Sequence, residues 1–226
     1  MTISDAEIVR ALGEYGFSPD AAVREKIRRY ITMLLQWNKR VSLTTVTDPK
    51  EILRFHFGES VYAATQGLFQ NGRLADVGTG AGFPGAALGL AESRLRVTLM
   101  EPNLKKCVFL SEVKRQLELD NVEVLRTRME DYEGEPFDFV TSRALGHFED
   151  LLSFARRNLV RQGRLVLWLG QDDAEESILA HRGWCWEEPI AIPGSKRRCI
   201  IAGRVEGDVP RGTIKVRAFG IVSRET

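Results

Sequence analysis

A glycine-rich segment limits what this chain can fold into. Residues 76–85 have the sequence Asp-Val-Gly-Thr-Gly-Ala-Gly-Phe-Pro-Gly and follow the short apolar run Leu74-Ala75. The Ala- and Leu-rich residues 86–91 predict a helix, and Pro84 suits its first turn, where a missing N–H costs nothing. A strand, a glycine turn and a helix in this order let backbone N–H groups approach a cofactor, because glycine has no Cβ.

Two classes of cofactor fit the spacing of these glycines. Gly80, Gly82 and Gly85 match G-x-G-x-x-G, the fingerprint of dinucleotide-binding folds. Asp76, Gly78, Gly80 and Gly82 match the D-x-G-x-G-x-G turn of S-adenosylmethionine (SAM) methyltransferases equally well. Glycine spacing alone leaves both classes open, together with a turn that binds no ligand.

The rest of the chain predicts a sheet of about seven strands. Glu101 ends a second predicted strand, 96–101, nineteen residues after Gly82. An acid there can accept hydrogen bonds from ribose hydroxyls in NAD and SAM folds alike. Further apolar runs predict strands at 121–125, 137–141, 163–169, 184–192 and 198–204, with a helix at about 147–159. A short connection joins the last two strands, and such a closing hairpin on a parallel sheet favours the methyltransferase architecture. We therefore predict a Rossmann-like α/β fold with a mostly parallel seven-stranded sheet.

Helices are predicted before the sheet. Ser4 and Glu7 form a capping box for the first helix, Ser18-Pro19 should begin the second, and Asp48-Pro49 should begin the third. The joint Gln70-Asn71-Gly72 is too short for a free linker. We expect residues 1–70 to be a helical cap on a SAM-binding domain, residues 71–226, in one compact unit.

Composition indicates an ordinary globular protein. The 226 residues are 43% hydrophobic and 28% charged. A net charge of +1 gives no overall attraction to a polyanion, so any RNA affinity must come from local patches. One candidate basic patch lies at 24–29. Another follows Gly194, where the sequence contains eight basic residues and only three acidic ones. The three cysteines fit no zinc or redox pattern. We expect no metal site, no membrane span and no signal peptide, and a cytoplasmic monomer.

Several motifs outside the turn make the prediction specific. They are Trp37-Asn38-Lys39 followed by Leu43-Thr44 and His56, Lys105-Lys106, Arg128-Met129-Glu130 and Ser142-Arg143-Ala144. Together with the glycine motif they resemble the glucose-inhibited division protein B family (RsmG), over roughly residues 30 to 170. This resemblance implies a bacterial SAM-dependent methyltransferase that modifies guanine N7 in small-subunit (16S) ribosomal RNA, with that RNA or the small ribosomal subunit as its partner.

Position and resemblance together give the predicted site residues their roles. Glycines of the turn approach the cofactor, Phe83 packs beside it, and Glu101 accepts from its ribose. Met129 and Glu130 lie where the third strand meets the adenine. Arg143 pairs with the methionyl carboxylate or a substrate phosphate, and is the one candidate catalytic residue. The predicted cofactor-binding set is Asp76, Gly78, Gly80, Gly82, Phe83, Glu101, Met129, Glu130 and Arg143.

Two departures from the family leave the substrate open. Many relatives have Lys-Gly after the fifth strand, where this chain has Leu169-Gly170, and the basic Tyr-Pro-Arg-Arg-like ending is reduced to residues 209–212. One alternative is a methyltransferase of the same fold acting on another RNA or a small molecule. A second is a ribosome-assembly factor that keeps the SAM pocket without turnover. A third, an NAD-dependent dehydrogenase, is disfavoured because no catalytic acid–base set accompanies the turn.

Overall fold

A single mixed sheet forms the centre of the molecule. The computed structural model describes residues 3–143, 148–170 and 183–207. The strands are β1 (Gly72–Val77), β2 (Leu95–Met100), β3 (Val122–Leu125), β4 (Phe137–Arg143), β5 (Leu159–Gly170), β6 (Trp184–Trp186), β7 (Ile190–Ala191) and β8 (Arg198–Val205). Their order is β3-β2-β1-β4-β5-β8-β6, with β7 also paired to β8. Strands β1 to β5 are parallel, and β8 is antiparallel to its neighbours, as the closing hairpin predicted.

The described sheet has eight strands, where the apolar runs predicted about seven. The run 184–192 is divided into β6 and β7, and Pro189 lies between them. Proline has no N–H to donate and does not fit the interior of a strand. The division therefore follows from one residue, and the mostly parallel arrangement is unchanged.

Helices precede the sheet and connect its strands. They are α1 (Asp5–Gly13), α2 (Ala21–Asn38), α3 (Pro49–Glu51), a π-helical segment (Ile52–Gly58), α4 (Glu59–Thr65), α5 (Gly85–Ala91), α6 (Leu104–Gln116), a 3-10 turn (Met129–Asp131) and α7 (Phe148–Asn158). The capping box of Ser4 and Glu7 is present, and Asp48 caps α3. The prediction that Ser18-Pro19 caps the second helix is wrong. Asp20 takes that position, and its carboxylate accepts from the N–H of Val23 at 2.8 Å.

The core has two parts, one on each face of the sheet. The part on one face joins the helices before Gly72 to the sheet and includes Ile31, Phe57, Val97 and Phe109. The other lies between α7 and the sheet. A shared core of this kind holds the segment before β1 directly against the strands that carry the glycine turn.

The described residues contain no helix that is long and apolar enough to span a membrane. Cys107 and Cys199 are buried, Cys185 is partly buried, and all three are free thiols. Burial raises the pKa of the Cys107 and Cys199 thiols above the usual value. The thiols therefore belong to the packing of the fold.

Candidate functional site

The predicted site residues come together at one edge of the sheet. The glycine turn follows β1, Glu101 follows β2, Met129 and Glu130 follow β3, and Arg143 ends β4. Parallel strands place their carboxyl ends on the same edge, and ligands of open α/β sheets bind there. Ala144, the last residue of the Ser-Arg-Ala motif, lies outside the described residues.

The three glycines of the turn have positive φ angles but different surroundings. The φ angles are 68° at Gly78, 58° at Gly80 and 92° at Gly82. A Cβ on Gly80 would meet only a carbonyl oxygen 3.9 Å away, so this position borders open space. A Cβ on Gly82 would lie 2.1 Å from the hydroxyl oxygen of Tyr30. Gly80 therefore leaves room for a ligand, whereas Gly82 leaves room for a side chain of α2.

Asp76 joins the turn to the helix that follows it. The residue is fully buried, and its Oδ2 accepts from the Thr79 hydroxyl at 2.5 Å and from the Gly85 N–H at 2.7 Å. A Cβ on Gly85 would lie 2.6 Å from the Cβ of Asp76, which explains the glycine there. Burial raises the pKa of Asp76 to about 7. Its Oδ1 is buried without a hydrogen-bond partner among the described residues.

Glu101 connects the glycine turn with the start of α6. Its side chain is almost fully buried, Oε2 accepts from the Gly80 N–H at 3.1 Å, and Oε1 accepts from the Asn103 N–H at 2.9 Å. Lys106 Nζ lies 4.0 Å from Oε2. A carboxylate has about four lone-pair positions, so each oxygen can accept one further hydrogen bond. Lys105, by contrast, is exposed.

Phe83 lies inside an aromatic cluster between the helical cap and the turn. Its ring stacks on Tyr30 at 5.2 Å and on His56 at 4.9 Å between centroids, and Phe57 meets it edge-on. The Tyr30 hydroxyl donates to the Ala81 carbonyl at 2.7 Å. The prediction that Phe83 packs beside a cofactor is neither confirmed nor contradicted by these contacts. They show that Phe83 fixes the turn to helices from the first part of the chain.

Arg143 binds the π-helical segment. Its Nη1 donates to the Phe55 carbonyl at 2.8 Å, and its Nη2 lies 2.9 Å from His56 Nδ1. Burial and the charge of Arg143 lower the pKa of His56 to about 3, so the imidazole is neutral near pH 7. Because Arg143 can only donate, Nδ1 accepts, and the ring proton lies on Nε2, 2.8 Å from the Thr44 hydroxyl.

Asn38 extends this chain of hydrogen bonds to the end of α2. Its Oδ1 accepts from the Leu43 and Thr44 N–H groups at 2.8 and 3.0 Å, and its Nδ2 donates to the Thr44 carbonyl at 2.8 Å. Asn38, Thr44, His56 and Arg143 thus form one connected path. The Trp-Asn-Lys, Leu-Thr and His motifs pointed to these residues, but the sequence did not reveal that they are linked.

Met129 and Glu130 differ in burial. Met129 is buried in the core part that includes Met100, whereas Glu130 is exposed. No ion pair of Glu130 occurs among the described residues. Both lie in the 3-10 turn after β3, at the edge where the sequence predicts adenine contacts.

The arginines of the basic cluster on α2 form ion pairs within the cap. Arg24 and Arg28 pair with Asp5, and Arg28 and Arg29 pair with Glu25. The remaining member, Lys26, donates to a backbone carbonyl at 3.3 Å. The cluster therefore holds α1 and α2 together, as a solvated structural face would.

The second predicted patch begins at Lys196 and includes Arg198, which binds a carboxylate that sequence reasoning missed. Arg198 Nη2 lies 2.6 Å from Oε1 of Glu59, and its Nη1 lies 3.1 Å from Oε2. Glu59 begins α4 and is buried. No local pattern in the sequence pointed to Glu59, because its partner lies 139 positions away. Residues 208–226 of the basic tail lie outside the described residues.

Comparison with known families decides which cofactor class the turn serves. The family model GidB, described as rRNA small subunit methyltransferase G, matches residues 23–197. The chain belongs to this family. The match begins before, and ends after, the region that the motifs predicted, and the resemblance to the GidB family is confirmed.

Relatives from two bacteria agree with the family match. The ribosomal RNA small subunit methyltransferase G of Xanthomonas euvesicatoria pv. vesicatoria is 38% identical over 181 residues, which cover 78% of this chain and 84% of that protein. The protein of the same name from Chromobacterium violaceum is 31% identical over 197 residues, which cover 86% of this chain and 94% of that protein. In each comparison the similarity thus extends over most of this chain and most of the relative.

Solved structures of lower identity agree in fold. A SAM-dependent methyltransferase from Aquifex aeolicus is similar with a TM-score of 0.56 at 20% identity, over 69% of this chain and 93% of that one. A ribosomal protein L11 methylase from Lactobacillus delbrueckii subsp. bulgaricus gives 0.54 at 14%, over 68% and 79%. At these identities the likeness concerns the fold alone, and the predicted Rossmann-like methyltransferase fold is confirmed.

Proposed function

We propose that this protein methylates guanine N7 in the 16S RNA of the small ribosomal subunit. As a member of the GidB family, the chain is a SAM-dependent ribosomal RNA methyltransferase. The observation that carries the proposal is the family match over residues 23–197, which includes the glycine turn, the acid after β2 and the arginine that ends β4.

The glycine turn fits SAM in three respects. Gly80 borders open space, which a side chain would fill. Glu101 keeps an unused lone pair on each oxygen, as binding of two ribose hydroxyls requires. The buried Oδ1 of Asp76 has no partner among the described residues, and an unpaired buried oxygen is costly. We propose that Gly78 and Gly80 approach the cofactor, that Glu101 holds its ribose, and that Asp76 orients the turn.

The other predicted residues would line the cleft. Met129 and Glu130 would bound the adenine, and Gly82 and Phe83 would form the wall that the aromatic cluster supports. Arg143 uses one N–H of each Nη group for Phe55 and His56. A guanidinium has five donors, so Arg143 can still bind the methionyl carboxylate. We propose that Arg143 binds and orients reactants without transferring a proton.

Methylation at N7 requires orientation more than proton transfer. SAM, when bound, supplies a methyl group on a positively charged sulfur. Guanine N7 has a free lone pair and no proton to remove, so holding it in line with the methyl group can account for most of the rate. The neutral His56 fits this chemistry, since its Nδ1 already accepts from Arg143 and is not available as a base.

The remaining assignments concern the whole chain. We propose that residues 1–70 act as a helical cap on the SAM-binding domain, residues 71–226, in one compact unit, because both contribute to one core. We also propose a monomer that acts in the cytoplasm on ribosomal RNA, either free or in the small subunit.

Transfer of labelled methyl groups to small subunits tests the function. The protein is incubated with tritiated SAM and small ribosomal subunits that lack the modification, and the RNA is digested to nucleosides. Label in 7-methylguanosine is the expected result. Label in another nucleoside would support the same fold with a different substrate, and SAM binding without transfer would support an assembly factor. Calorimetric titration with NAD tests the dehydrogenase alternative. No binding of NAD is expected.

A further inference from the structure

Three arginines surround one buried carboxylate beside the cleft. Glu59 is 2% exposed, and both of its oxygens bind Arg198. The charges of Arg143 and Arg54 also act on the Glu59 carboxyl. Within the described residues, no ion pair joins Arg54 or Arg143 to a carboxylate. Since His56 is neutral, three guanidiniums and one ionised carboxylate give this group two excess positive charges, which the charge of Asp76 acting on Arg143 offsets in part.

The group lies at the same edge of the sheet as the glycine turn. Arg198 begins β8 and pairs in register with Gly170, at the end of β5. The indole N–H of Trp168 donates to the Glu59 carbonyl at 2.8 Å and fixes α4 to β5. Neighbouring strands are about 4.8 Å apart, so β8 lies roughly 10 Å from the strand of Arg143. That distance suits a nucleotide whose base is in the cleft and whose neighbouring phosphate lies farther along the edge.

Arg198 is accessible, whereas its partner is not. The side chain of Arg198 is 42% exposed, and that of Glu59 is 2% exposed. The guanidinium is held over the ring of Phe55, 5.0 Å from its centroid. Its planar fork binds carboxylate and phosphate with the same two-point geometry. A phosphate can therefore approach the Arg198 guanidinium from solvent. Glu59 contacts the same guanidinium from the protein interior.

We propose that Arg198 binds a backbone phosphate of the RNA substrate and that Glu59 is the internal carboxylate with which this phosphate competes. The inference rests on the proposed function, since it names a contact to the same RNA. Burial raises the pKa of Glu59 to about 7 despite the neighbouring arginines. Near neutral pH the carboxyl can accept a proton from water when Arg198 turns to the phosphate, so no unpaired charge stays buried.

Salt-dependent RNA binding by three variants tests the proposal. The probe is an in vitro transcript of small-subunit ribosomal RNA, and its Kd is measured from low to physiological salt for the wild type, Arg198→Gln, Glu59→Gln and Arg204→Gln. Arg204 is a matched control, because it lies on β8 and pairs with a glutamate, Glu187, at 3.7 Å. Calorimetry with SAM shows whether each variant keeps an intact cleft.

The two central variants should move affinity in opposite directions. Arg198→Gln should weaken RNA binding about tenfold and reduce the slope of log affinity against log salt by about 0.7 to 0.9, the value of one lost phosphate contact. Glu59→Gln should strengthen binding and steepen the slope, because it removes the competing negative charge. Arg204→Gln should match the wild type.

Other results would overturn the inference. A wild-type slope for Arg198→Gln, or weaker binding by Glu59→Gln, contradicts the competition even if methyl transfer proceeds normally. If Arg198→Gln does not fold, the test rests on Glu59→Gln: stronger RNA binding supports the competition, and weaker or unchanged binding contradicts it. Failure of the wild-type protein both to bind the transcript and to methylate small subunits would instead contradict the proposed function, and the inference with it.

Discussion

The carboxylate of Glu101 joins two loops at the edge of the sheet. It accepts one N–H from the glycine turn and one from the residue that caps α6. Both bonds lie within the protein, so the carboxylate is already oriented before any ligand arrives. Such a group can bind two ribose hydroxyls without first losing conformational freedom.

Glu101→Ala should weaken SAM and its demethylated product about equally. Each loses the same ribose contact, with an expected cost of about 1.5–3 kcal/mol for a hydrogen bond to a charged group. Isothermal titration with both ligands measures the two costs side by side. A variant that binds one of them normally while losing the other would show that Glu101 does not contact the ribose.

His56 links acid stability to the contact between Arg143 and the cap. A proton that the unfolded chain binds near pH 6.5 is bound by the folded protein only near pH 3. The stabilising contribution of neutral His56 is therefore complete above pH 6.5 and is lost as the pH falls toward 3.

Replacement of His56 by a residue that does not titrate should remove this pH dependence. Glutamine can accept from Arg143 and donate to Thr44. Between pH 7 and pH 4.5, the free energy of unfolding of the wild type should fall relative to His56→Gln by on the order of 2 kcal/mol. Urea denaturation at the two pH values gives the change in the free energy of unfolding for the wild type and for the variant. If the wild type and the variant lose stability in parallel, the imidazole is not held neutral by its surroundings.

The helices before the sheet contribute to the cleft through an irregular element. The π-helical segment Ile52–Gly58 presents the Phe55 carbonyl and the His56 ring to Arg143. π-Helical turns are rare and often occur at functional sites. Arg24, Arg28 and Arg29 of α2 take no part in this contact, since they pair with Asp5 and Glu25.

The ion pairs of α2 should therefore matter for stability and not for RNA. Combined Arg24→Gln and Arg28→Gln should lower the thermal midpoint. They should change the salt slope of RNA binding by much less than the ~0.7 that one lost phosphate contact causes. Binding curves on the same transcript measure the slope. A flatter slope would mean that the helical cap, not the edge near Arg198, carries the RNA.

Local patterns predicted most elements, and local chemistry explains the exceptions. Apolar runs predicted β1 to β5. The second helix begins later than expected because Asp20, and not Ser18, accepts from the first turn. Strands β6 and β7 are separate because Pro189 interrupts the run between them. These differences concern the ends of helices and strands. There, a side-chain cap or a missing backbone donor decides which of several neighbouring residues begins or ends the element.

Contacts across long stretches of sequence could not be predicted in the same way. Tyr30 bonds to the turn 51 residues later, His56 to a residue 87 positions away, and Glu59 to one 139 positions away. No local pattern specifies such pairs, because they depend on how separate elements pack. The same glycine spacing therefore predicted one shared role for Gly80 and Gly82, while the fold gives them open space and Tyr30 respectively.

The central claim is that the open side of the glycine turn holds SAM. Calorimetric titration of Gly80→Val with SAM tests it most directly, and Gly67→Val is the matched control. Gly67 also has a positive φ, 70°, and no atom near a Cβ, but it lies in the turn after α4. Both variants carry the backbone strain of a branched residue in the left-handed region, so their folded state is checked by circular dichroism.

The two variants should differ in SAM affinity alone. Gly80→Val should bind SAM at least tenfold more weakly, about 1.4 kcal/mol, because its side chain fills the space beside the turn. Gly67→Val should bind as the wild type does. Wild-type SAM affinity in folded Gly80→Val would contradict the account, since the cofactor would then have to lie elsewhere.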